Sequence, residues 1–312
     1  MAHGIHHVTI MAGRAHRNLD TYTRTLGLRL VKKTVNFDDP GTYHFYYGDE
    51  TGRPGTIVTF FPWEHTAPGQ SGVGETIETA LRIPETAIAF WTHRLVEAGL
   101  RHEAPAKRFG ETVIRFRDPD GTRLALVGVP GIEREPAWST AEIPAEVAIR
   151  GVHSVGLLVA DTAPTGAILT GVLGFAEVAR DEDVVRYRAA DASDDTPGAI
   201  VDLHRAGAPF RGRLGAGSVH HVAFRAADDA AQAAMVTRLS AEHGLRTTEQ
   251  RDRNYFRSVY FREPGGVLFE IATDVPGFAV DEPVAALGTA LKLPARYEGR
   301  RAAIEAVLPQ VA

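Results

Sequence analysis

Two pairs of adjacent histidines stand near opposite ends of this 312-residue sequence. His6 and His7 lie in GIHHVTI, and His220 and His221 lie in SVHHVAF. Both pairs are flanked by β-branched and apolar residues, a pattern typical of a buried strand. Imidazole is the commonest metal ligand among side chains. Histidines at the same place in two similar strands therefore point to metal chemistry.

One acidic residue completes a candidate ligand set. Glu270 lies in EPGGVLFEIA, where a tight glycine turn leads into an apolar strand. Two histidines and one carboxylate leave open coordination positions, and non-haem Fe(II) oxygenases use this set. His7, His221 and Glu270 are therefore the predicted metal ligands. Fe(II) is the expected ion, and Mn(II) suits the same donors.

The choice of these ligands depends on an internal repeat. Four segments share one order of predicted elements, a strand, a helix and three further strands, and each helix ends at a turn containing glycine. The four segments begin at GIHHVTIMAG, ETIETALRIP, RGVHSVGLLV and GSVHHVAFRA, and they end at PGTIVTFF, DPDGTRLALVG, TPGAIVDLH and EPGGVLFEIA.

The four copies can be aligned on their first and last strands. A histidine occupies the aligned first-strand position in copies one and four, and an acid occupies the aligned last-strand position in copies three and four. Alternate residues of a strand face the same side, so the aligned positions should face into their sheets. In copy order the aligned residues are His7, Thr79, Ser154 and His221 in the first strands, and Thr59, Ala125, Asp202 and Glu270 in the last.

Asp202 is the competing acid. Its copy has Ser154 where a histidine ligand would be needed, so no second complete site is expected, and we interpret Asp202 as structural or peripheral. His153 aligns with His6 and His220 and is interpreted in the same way. If His7 and Glu270 share one metal, copies one and four must build one sheet, and copies two and three a second sheet without metal.

The predicted domain organisation follows the repeat. A linker rich in Pro, Glu and Ala at about residues 131–149 separates copies two and three. Residues 1–135 and 145–280 should each contain two copies, with one ligand from the first half and two from the second. Residues 281–312 form a C-terminal tail.

Composition narrows the function further. The net charge of −5 gives no reason to expect nucleic acid as a partner, and no apolar run approaches the length that crosses a bilayer. The sequence contains no cysteine, which excludes thiolate ligands, thiolate catalysis and disulfides. The first residues have neither the basic stretch nor the apolar segment of a signal peptide, so we expect a cytoplasmic protein. A homo-oligomer is left open.

The repeats resemble the vicinal oxygen chelate superfamily, and within it the sequence is similar to the ring-cleaving dioxygenases of hydroquinones. The segments that carry the narrower resemblance are GIHHVTIMAG, LGLRLVKKTVNFDDPGTYHFYYGD, GTIVTFFPW, VHHVAF, EPGGVLFEIATD and LPARYEGRRAAIEAVLP. This resemblance implies an α+β fold in which four βαβββ modules form two cup-shaped mixed sheets. It also implies Fe(II)-dependent cleavage of a hydroquinone- or catechol-like aromatic by O2.

Further residues are expected around the metal. In a regular strand His6 and His220 would point away from it and brace the sheet, whereas the resemblance implies that they orient the ligands or bound oxygen. Thr9 lies two residues after His7 and shares its face. The resemblance also places Arg253 and Tyr260 at the site, where a cation and a phenol would suit a phenolate substrate.

Other candidates are assigned to the core or the surface. His44, His65 and His243 are expected in solvent or loops, and the aromatic residues are expected mainly in the core; these aromatic residues are Tyr43, Phe45, Tyr46, Phe61 and Trp63. Two alternative functions stay open. A glyoxalase-type lyase or isomerase usually has two acids among four protein ligands, and a metal-free binding or resistance protein would not need the ligand trio.

Overall fold

The apolar runs of the sequence form strands, and the four helical stretches each follow the first strand of a copy. The computed structural model describes residues 4–193, 196–208 and 210–311. Each copy has the predicted order of one strand, one helix and three strands, so the four copies are the modules βαβββ.

The modules have the following bounds. Module one contains β1 (Ile5–Ala12), α1 (Ala15–Asp20, continued by a π-helical turn at Thr21–Thr25), β2 (Arg29–Asn36), β3 (Asp39–Gly48) and β4 (Ile57–Pro62). Module two contains β5 (Glu75–Pro84), α2 (Ile88–Glu97), β6 (Ala106–Arg108), β7 (Glu111–Arg117) and β8 (Arg123–Val129). Module three contains β9 (Val152–Val159), α3 (Thr162–Gly171), β10 (Phe175–Asp181), β11 (Val184–Ala189) and β12 (Ile200–Arg205). Module four contains β13 (Val219–Ala226), α4 (Asp229–His243), β14 (Arg251–Asp252), β15 (Arg257–Arg262) and β16 (Leu268–Thr273).

The strands form two curled sheets of eight strands each. The first, which we call cup one, has the order β14-β15-β16-β13-β1-β4-β3-β2, and the second, cup two, has the order β10-β11-β12-β9-β5-β8-β7-β6. Modules one and four thus share cup one, and modules two and three share cup two, as the ligand pairing predicts. The α+β fold of four modules in two mixed sheets is confirmed. Each half of the chain supplies half of each cup.

Each cup is joined at its centre by an antiparallel strand pair that contains two bulges. In cup one, Ile5 pairs with Phe224 and His7 with Ala223, so His6 is an extra residue in β1. At the other end of the same pair, the register shift leaves His220 as the extra residue in β13. A bulge redirects side chains locally. The first histidine of each pair therefore lies at a bulge and not in a regular strand.

The register of cup two corrects one position of the alignment. In cup one, Thr9 pairs with Thr59, two residues after His7. In cup two, Ala80 pairs with Ala125, so the residue two positions earlier, Glu78, occupies the place of His7. The alignment of Thr79 with His7 was wrong by one residue. A strand that is apolar on both faces carries no alternation that would fix its register.

The C-terminal tail packs against β2 and the turn after it. The buried Lys32 ammonium contacts the carboxylates of both Asp281 and Glu282. The Tyr297 hydroxyl donates a hydrogen bond of 2.8 Å to the carbonyl of Phe37. The tail contains the short helices α5 (Ala295–Glu298) and α6 (Arg301–Val307). Within the described residues, no helix has the length and apolar character needed to span a membrane.

Candidate metal centre

The three predicted ligands meet inside cup one. His7 comes from β1, His221 from β13 and Glu270 from β16, three neighbouring strands of the sheet. One potential ligand atom from each residue lies within 4.8 Å of the other two, and all three side chains are buried. Among the described residues, this is the one cluster of histidine and acidic groups that meets this distance.

The donor atoms fit a cation between them. The Nε2 atoms of His7 and His221 lie 3.5 and 2.9 Å from Oε2 of Glu270. Oε1 accepts a hydrogen bond from the Ser258 hydroxyl, whereas Oε2 is buried without a hydrogen bond of acceptable geometry. A buried carboxylate oxygen without a donor is costly. A divalent metal held by Oε2 and the two Nε2 atoms would remove that cost.

His6 and His220 contact the ligand rings instead of the far side of the sheet. Nδ1 of His6 lies 3.0 Å from Nδ1 of His7, and Nδ1 of His220 lies 2.8 Å from Nδ1 of His221. Burial and the neighbouring ligand imidazole lower the pKa of both rings, to about 3 for His220, so both are neutral. A ligand that binds metal through Nε2 carries its proton on Nδ1. With a metal bound in this way, each of His7 and His221 would donate to its bulged neighbour, which would fix the ring orientation.

Tyr260 and Arg253 lie on one side of the centre. The Tyr260 ring is 5.5 Å from the His221 ring, and burial together with the nearby Glu270 charge raises the pKa of the phenol. The Arg253 guanidinium lies 5.6 Å from the Tyr260 ring centre and donates a 2.9 Å hydrogen bond to Asp38. Asp38 was missed in the sequence because it lies in a turn between β2 and β3, far from Arg253 along the chain.

A hydrogen-bond chain lies on the opposite side and includes His44, for which the solvent or loop prediction was wrong. The Thr59 hydroxyl donates to Thr9 at 2.9 Å, so Thr59 must accept the 2.7 Å hydrogen bond from Nε2 of His44. Burial lowers the pKa of His44 and keeps it neutral. Its Nδ1 is then bare and accepts from the Tyr46 hydroxyl at 2.9 Å. Each residue of this series therefore donates to the next, from Tyr46 through His44 and Thr59 to Thr9. The hydroxyl proton of Thr9 has no acceptor within the series.

An aromatic cavity of about 380 Å³ leads to the ligands. Its walls include Tyr46, Phe61 and Trp63, which were predicted mainly as core residues, together with Phe37 and Phe256. Tyr46 and Phe61 are buried as predicted, but they also face this cavity. Period-two alternation along β3 was the available signal, since it puts His44 and Tyr46 on the face opposite to Tyr43 and Phe45.

The remaining candidates lie away from the centre. Asp202 receives two hydrogen bonds from Arg186, at 2.8 and 2.9 Å, and is an ion-pair partner in cup two. His153 lies between Ser154 and Glu111 in the same cup. His65 is exposed, and His243 is the last residue of α4.

Fold and site together define a protein of four βαβββ modules with a buried cluster of two histidines and one carboxylate that could hold a metal ion. Residues 4–126 and 151–271 match the model of the Glyoxalase/Bleomycin resistance protein/Dioxygenase superfamily. The chain belongs to this superfamily.

Three similar proteins are all named as dioxygenases. The chain is 45% identical to "Putative ring-cleaving dioxygenase MhqO" of Bacillus subtilis (strain 168), over 97% of this chain and 94% of that protein. It is 31% identical to the "Chlorohydroquinone/hydroquinone 1,2-dioxygenase" of Sphingobium indicum, over 95% and 92% of the two chains. The crystal structure of a "putative dioxygenase" from Bacillus subtilis subsp. subtilis str. 168 has a TM-score of 0.93 and 44% identity, and covers 100% of this chain and 98% of its own.

Proposed function

We propose that this protein is an Fe(II)-dependent dioxygenase that cleaves the ring of a hydroquinone- or catechol-like aromatic with O2. The observation that carries the proposal is a buried set of two histidines and a single acid, with both Nε2 atoms close to Glu270 Oε2 and no hydrogen bond of acceptable geometry to that oxygen. The names of the relatives support ring cleavage, and one of them names hydroquinone as the substrate of that relative.

The ligands and the cavity define where the substrate binds. His7, His221 and Glu270 would hold the metal, which when bound supplies Lewis acidity toward a phenol oxygen and electron transfer to O2. A cavity of about 380 Å³ accommodates one substituted ring, since a cavity of about 150 Å³ already binds benzene. Its aromatic walls exclude water and hold the ring flat beside the ligands.

The polar side chains around the cavity have distinct tasks in the proposal. Arg253 places a positive charge near a substrate phenolate, and Asp38 fixes the position of its guanidinium. Tyr260 remains protonated because its pKa is raised, so it can donate a proton or a hydrogen bond to a substrate oxygen. Burial and the neighbouring His221 lower the pKa of His220, so its ring stays neutral and donates a hydrogen bond through Nε2.

Thr9 is a further donor that we place at the site. Its hydroxyl proton is not used by the chain from Tyr46, and its face of β1 is that of His7. A donor with only one free direction requires little reorganisation when a negatively charged oxygen develops beside it. Thr9 and Tyr260 would thus approach a bound ligand from opposite sides.

The proposal is tested by loading the purified protein anaerobically with Fe(II) or Mn(II), measuring bound metal, and following O2 uptake with a panel of hydroquinones and catechols. We expect one metal per chain and one O2 consumed per ring opened, with both atoms of labelled O2 in the product. Turnover of a thiol adduct without O2 uptake would instead identify a glyoxalase-type lyase. The absence of bound metal under all conditions would identify a binding or resistance protein.

The choice of Fe(II) over Mn(II), a cytoplasmic location and the boundaries of the two halves stay predictions. The oligomeric state is left open. Metal analysis of the protein purified without added metal would distinguish Fe(II) from Mn(II). Sedimentation velocity would give the oligomeric state.

A further inference from the structure

Cup two has charged side chains where cup one has its metal ligands. By strand register, Glu78, Ser154 and Asp202 occupy the positions of His7, His221 and Glu270. The Arg108 guanidinium lies between the two acids, with Nη1 at 2.5 Å from Glu78 Oε1 and Nη2 at 3.7 Å from Asp202 Oδ2. An arginine thus supplies the positive charge that a metal would supply in cup one.

The neighbouring strands also carry arginines in cup two where cup one has uncharged residues. Tyr46 and Tyr260 of cup one pair with Thr59 and Glu270. The equivalent residues of cup two are Arg115 and Arg186, which pair with Ala125 and Asp202. Each of these arginines has a carboxylate partner, because Arg115 contacts Glu78, and Arg186 contacts both Asp202 and Glu111. The inner part of cup two is therefore electrostatically balanced.

Three further arginines at the rim of cup two are not balanced. Arg117 and Arg123 are directly opposite each other on β7 and β8, and the Arg117 amide donates to the carbonyl of Arg101 at 2.9 Å. No carboxylate among the described residues forms an ion pair with any of the three. Like charges at opposite positions of a strand pair are destabilising. Burial is the main cause that lowers the pKa of Arg117; the charges of Arg123 and Arg101 lower it further, and the charge of Glu103 opposes them.

The three arginines line a cavity of about 560 Å³, and the half-buried Ile77 is an apolar residue beside them. Phe116 and Leu124 also border the cavity, but they pair with each other at the position next to the Arg117–Arg123 pair, so their buried side chains face the opposite side of the sheet. His204 lines the same cavity, and its Nε2 is buried without a hydrogen-bond partner. Glu103 is the one acid besides Glu78 among the described lining residues, so the rim retains an excess of positive charge.

We propose that the cavity of cup two binds a small organic acid. Arg117 and Arg123 hold its carboxylate, Arg101 adds charge at the rim, and the apolar body of the ligand contacts Ile77. Guanidinium groups bind carboxylates through paired, charge-assisted hydrogen bonds. The bound anion relieves the repulsion between the arginines. This site is independent of the metal centre, and it does not require the function proposed above.

The test is calorimetric titration of the full-length protein with benzoate, its neutral isostere benzamide, and inorganic phosphate, all at low ionic strength. We expect benzoate to bind with one site per chain and at least tenfold more tightly than benzamide or phosphate. Arg117→Gln combined with Arg123→Gln should weaken benzoate at least tenfold, as loss of a charged hydrogen-bond pair does. Arg246→Gln, an exposed arginine of module four, is the matched control and should change nothing.

Arg101→Glu provides a second variant that does not depend on strand packing, because Arg101 is exposed outside the sheet. It should weaken benzoate while the metal content stays unchanged and the thermal unfolding temperature does not fall, since the substitution removes one of the repelling charges. Equal binding of benzoate and benzamide, or tighter binding of phosphate than of benzoate, would overturn the proposal. So would benzoate binding that is unaffected by the arginine substitutions, or benzoate binding that disappears in the Glu270→Gln variant, which would place the ligand at the metal centre.

Discussion

The two histidine ligands use the same local arrangement. Each is followed by a regular strand and preceded by a bulged histidine whose Nδ1 lies within 3.0 Å of its own. The bulge places two consecutive rings on the same side of the sheet, which a regular strand would not do. In the proposed site, the first histidine of each pair would orient the second, and the second would present Nε2 to the metal.

Removing a ligand should abolish metal binding without unfolding the protein. In Glu270→Gln and in His221→Ala, we expect bound metal and O2 uptake to fall to below about a tenth of the wild-type level, because only two donors remain. Asp202→Asn is the matched control, a buried acid at the equivalent position of cup two, and should keep its metal while unfolding at a lower temperature. Elemental analysis measures the bound metal, and thermal unfolding measures the stability of each variant. A full metal equivalent in Glu270→Gln, or loss of metal in Asp202→Asn, would show that the wrong acid was chosen.

The hydrogen-bond chain to Thr9 gives a second test on single residues. Tyr46→Phe removes the donor to His44, so the direction of the remaining hydrogen bonds is no longer fixed. We expect kcat to fall about tenfold, the effect of roughly one hydrogen bond, with unchanged metal content. Tyr43→Phe, on the opposite face of the same strand, should leave kcat unchanged. Similar losses in both variants would mean that the effect comes from packing of β3 rather than from the chain.

At the scale of the elements, the two cups use the same strands for different purposes. Cup one surrounds an acid and two imidazoles mainly with imidazole, hydroxyl and aromatic side chains, and its Arg253 is paired with Asp38, which suits a metal. Cup two stabilises its acids with arginines, and Glu111 joins β7 to both β9 and β11 through His153 and Arg186. Since these contacts cross three strands, they should contribute to the stability of the sheet in a way that depends on pH.

Glu111→Gln tests that dependence. Burial raises the pKa of Glu111, but the hydrogen bond from His153 and the charge of Arg186 outweigh it and lower the pKa to about 2 from the ordinary 4.5. A folded-state pKa below the unfolded one stabilises the protein above about pH 4.5, and this contribution is lost as the pH falls toward 2.

The variant should lose about 1–2 kcal/mol of unfolding free energy at pH 7, a value discounted for partial exposure, and the difference from wild type should narrow by pH 3. Urea unfolding at both pH values measures it. The exposed Glu249→Gln is the control and should show no difference at either pH. A difference that stayed constant or grew as the pH fell would contradict the assignment of the effect to Glu111 ionisation.

At the scale of the whole molecule, the metal centre depends on contact between the two ends of the chain. The antiparallel pair β1–β13 joins module one to module four, and His7 reaches the other two ligands only through this pair. The linker is also part of the fold, since Ile143 is buried and the Trp91 indole donates to the carbonyl of Val147 at 2.7 Å.

Cleavage of the linker should therefore leave the protein assembled. A protease site introduced between the exposed Ala141 and Glu142 should yield a nicked protein that elutes as one species and keeps its metal. After separation in denaturant, the N-terminal fragment has only His7 and the C-terminal fragment only His221 and Glu270, so neither should bind metal tightly, whereas mixing should restore binding. If the C-terminal fragment alone retained stoichiometric metal, His7 would not be a ligand.

The sequence by itself determined the modules, the pairing of modules one and four, and the three residues that cluster as candidate ligands. These follow from short patterns that need no tertiary information: a repeated strand with two histidines, a glycine turn before a strand, and an acid at one aligned position. Because the repeats are related, a residue that differs between them stands out, and Glu270 against Ala125 is such a difference.

The tertiary structure alone decided the register and the contacts around the site. The bulges at His6 and His220, the place of Glu78 and the burial of His44 depend on hydrogen bonds between strands that are distant in sequence. A bulge changes the facing of side chains by one residue, and an apolar strand pattern does not reveal it. Asp38 and the arginines of cup two likewise acquire their partners only when separate strands and turns come together.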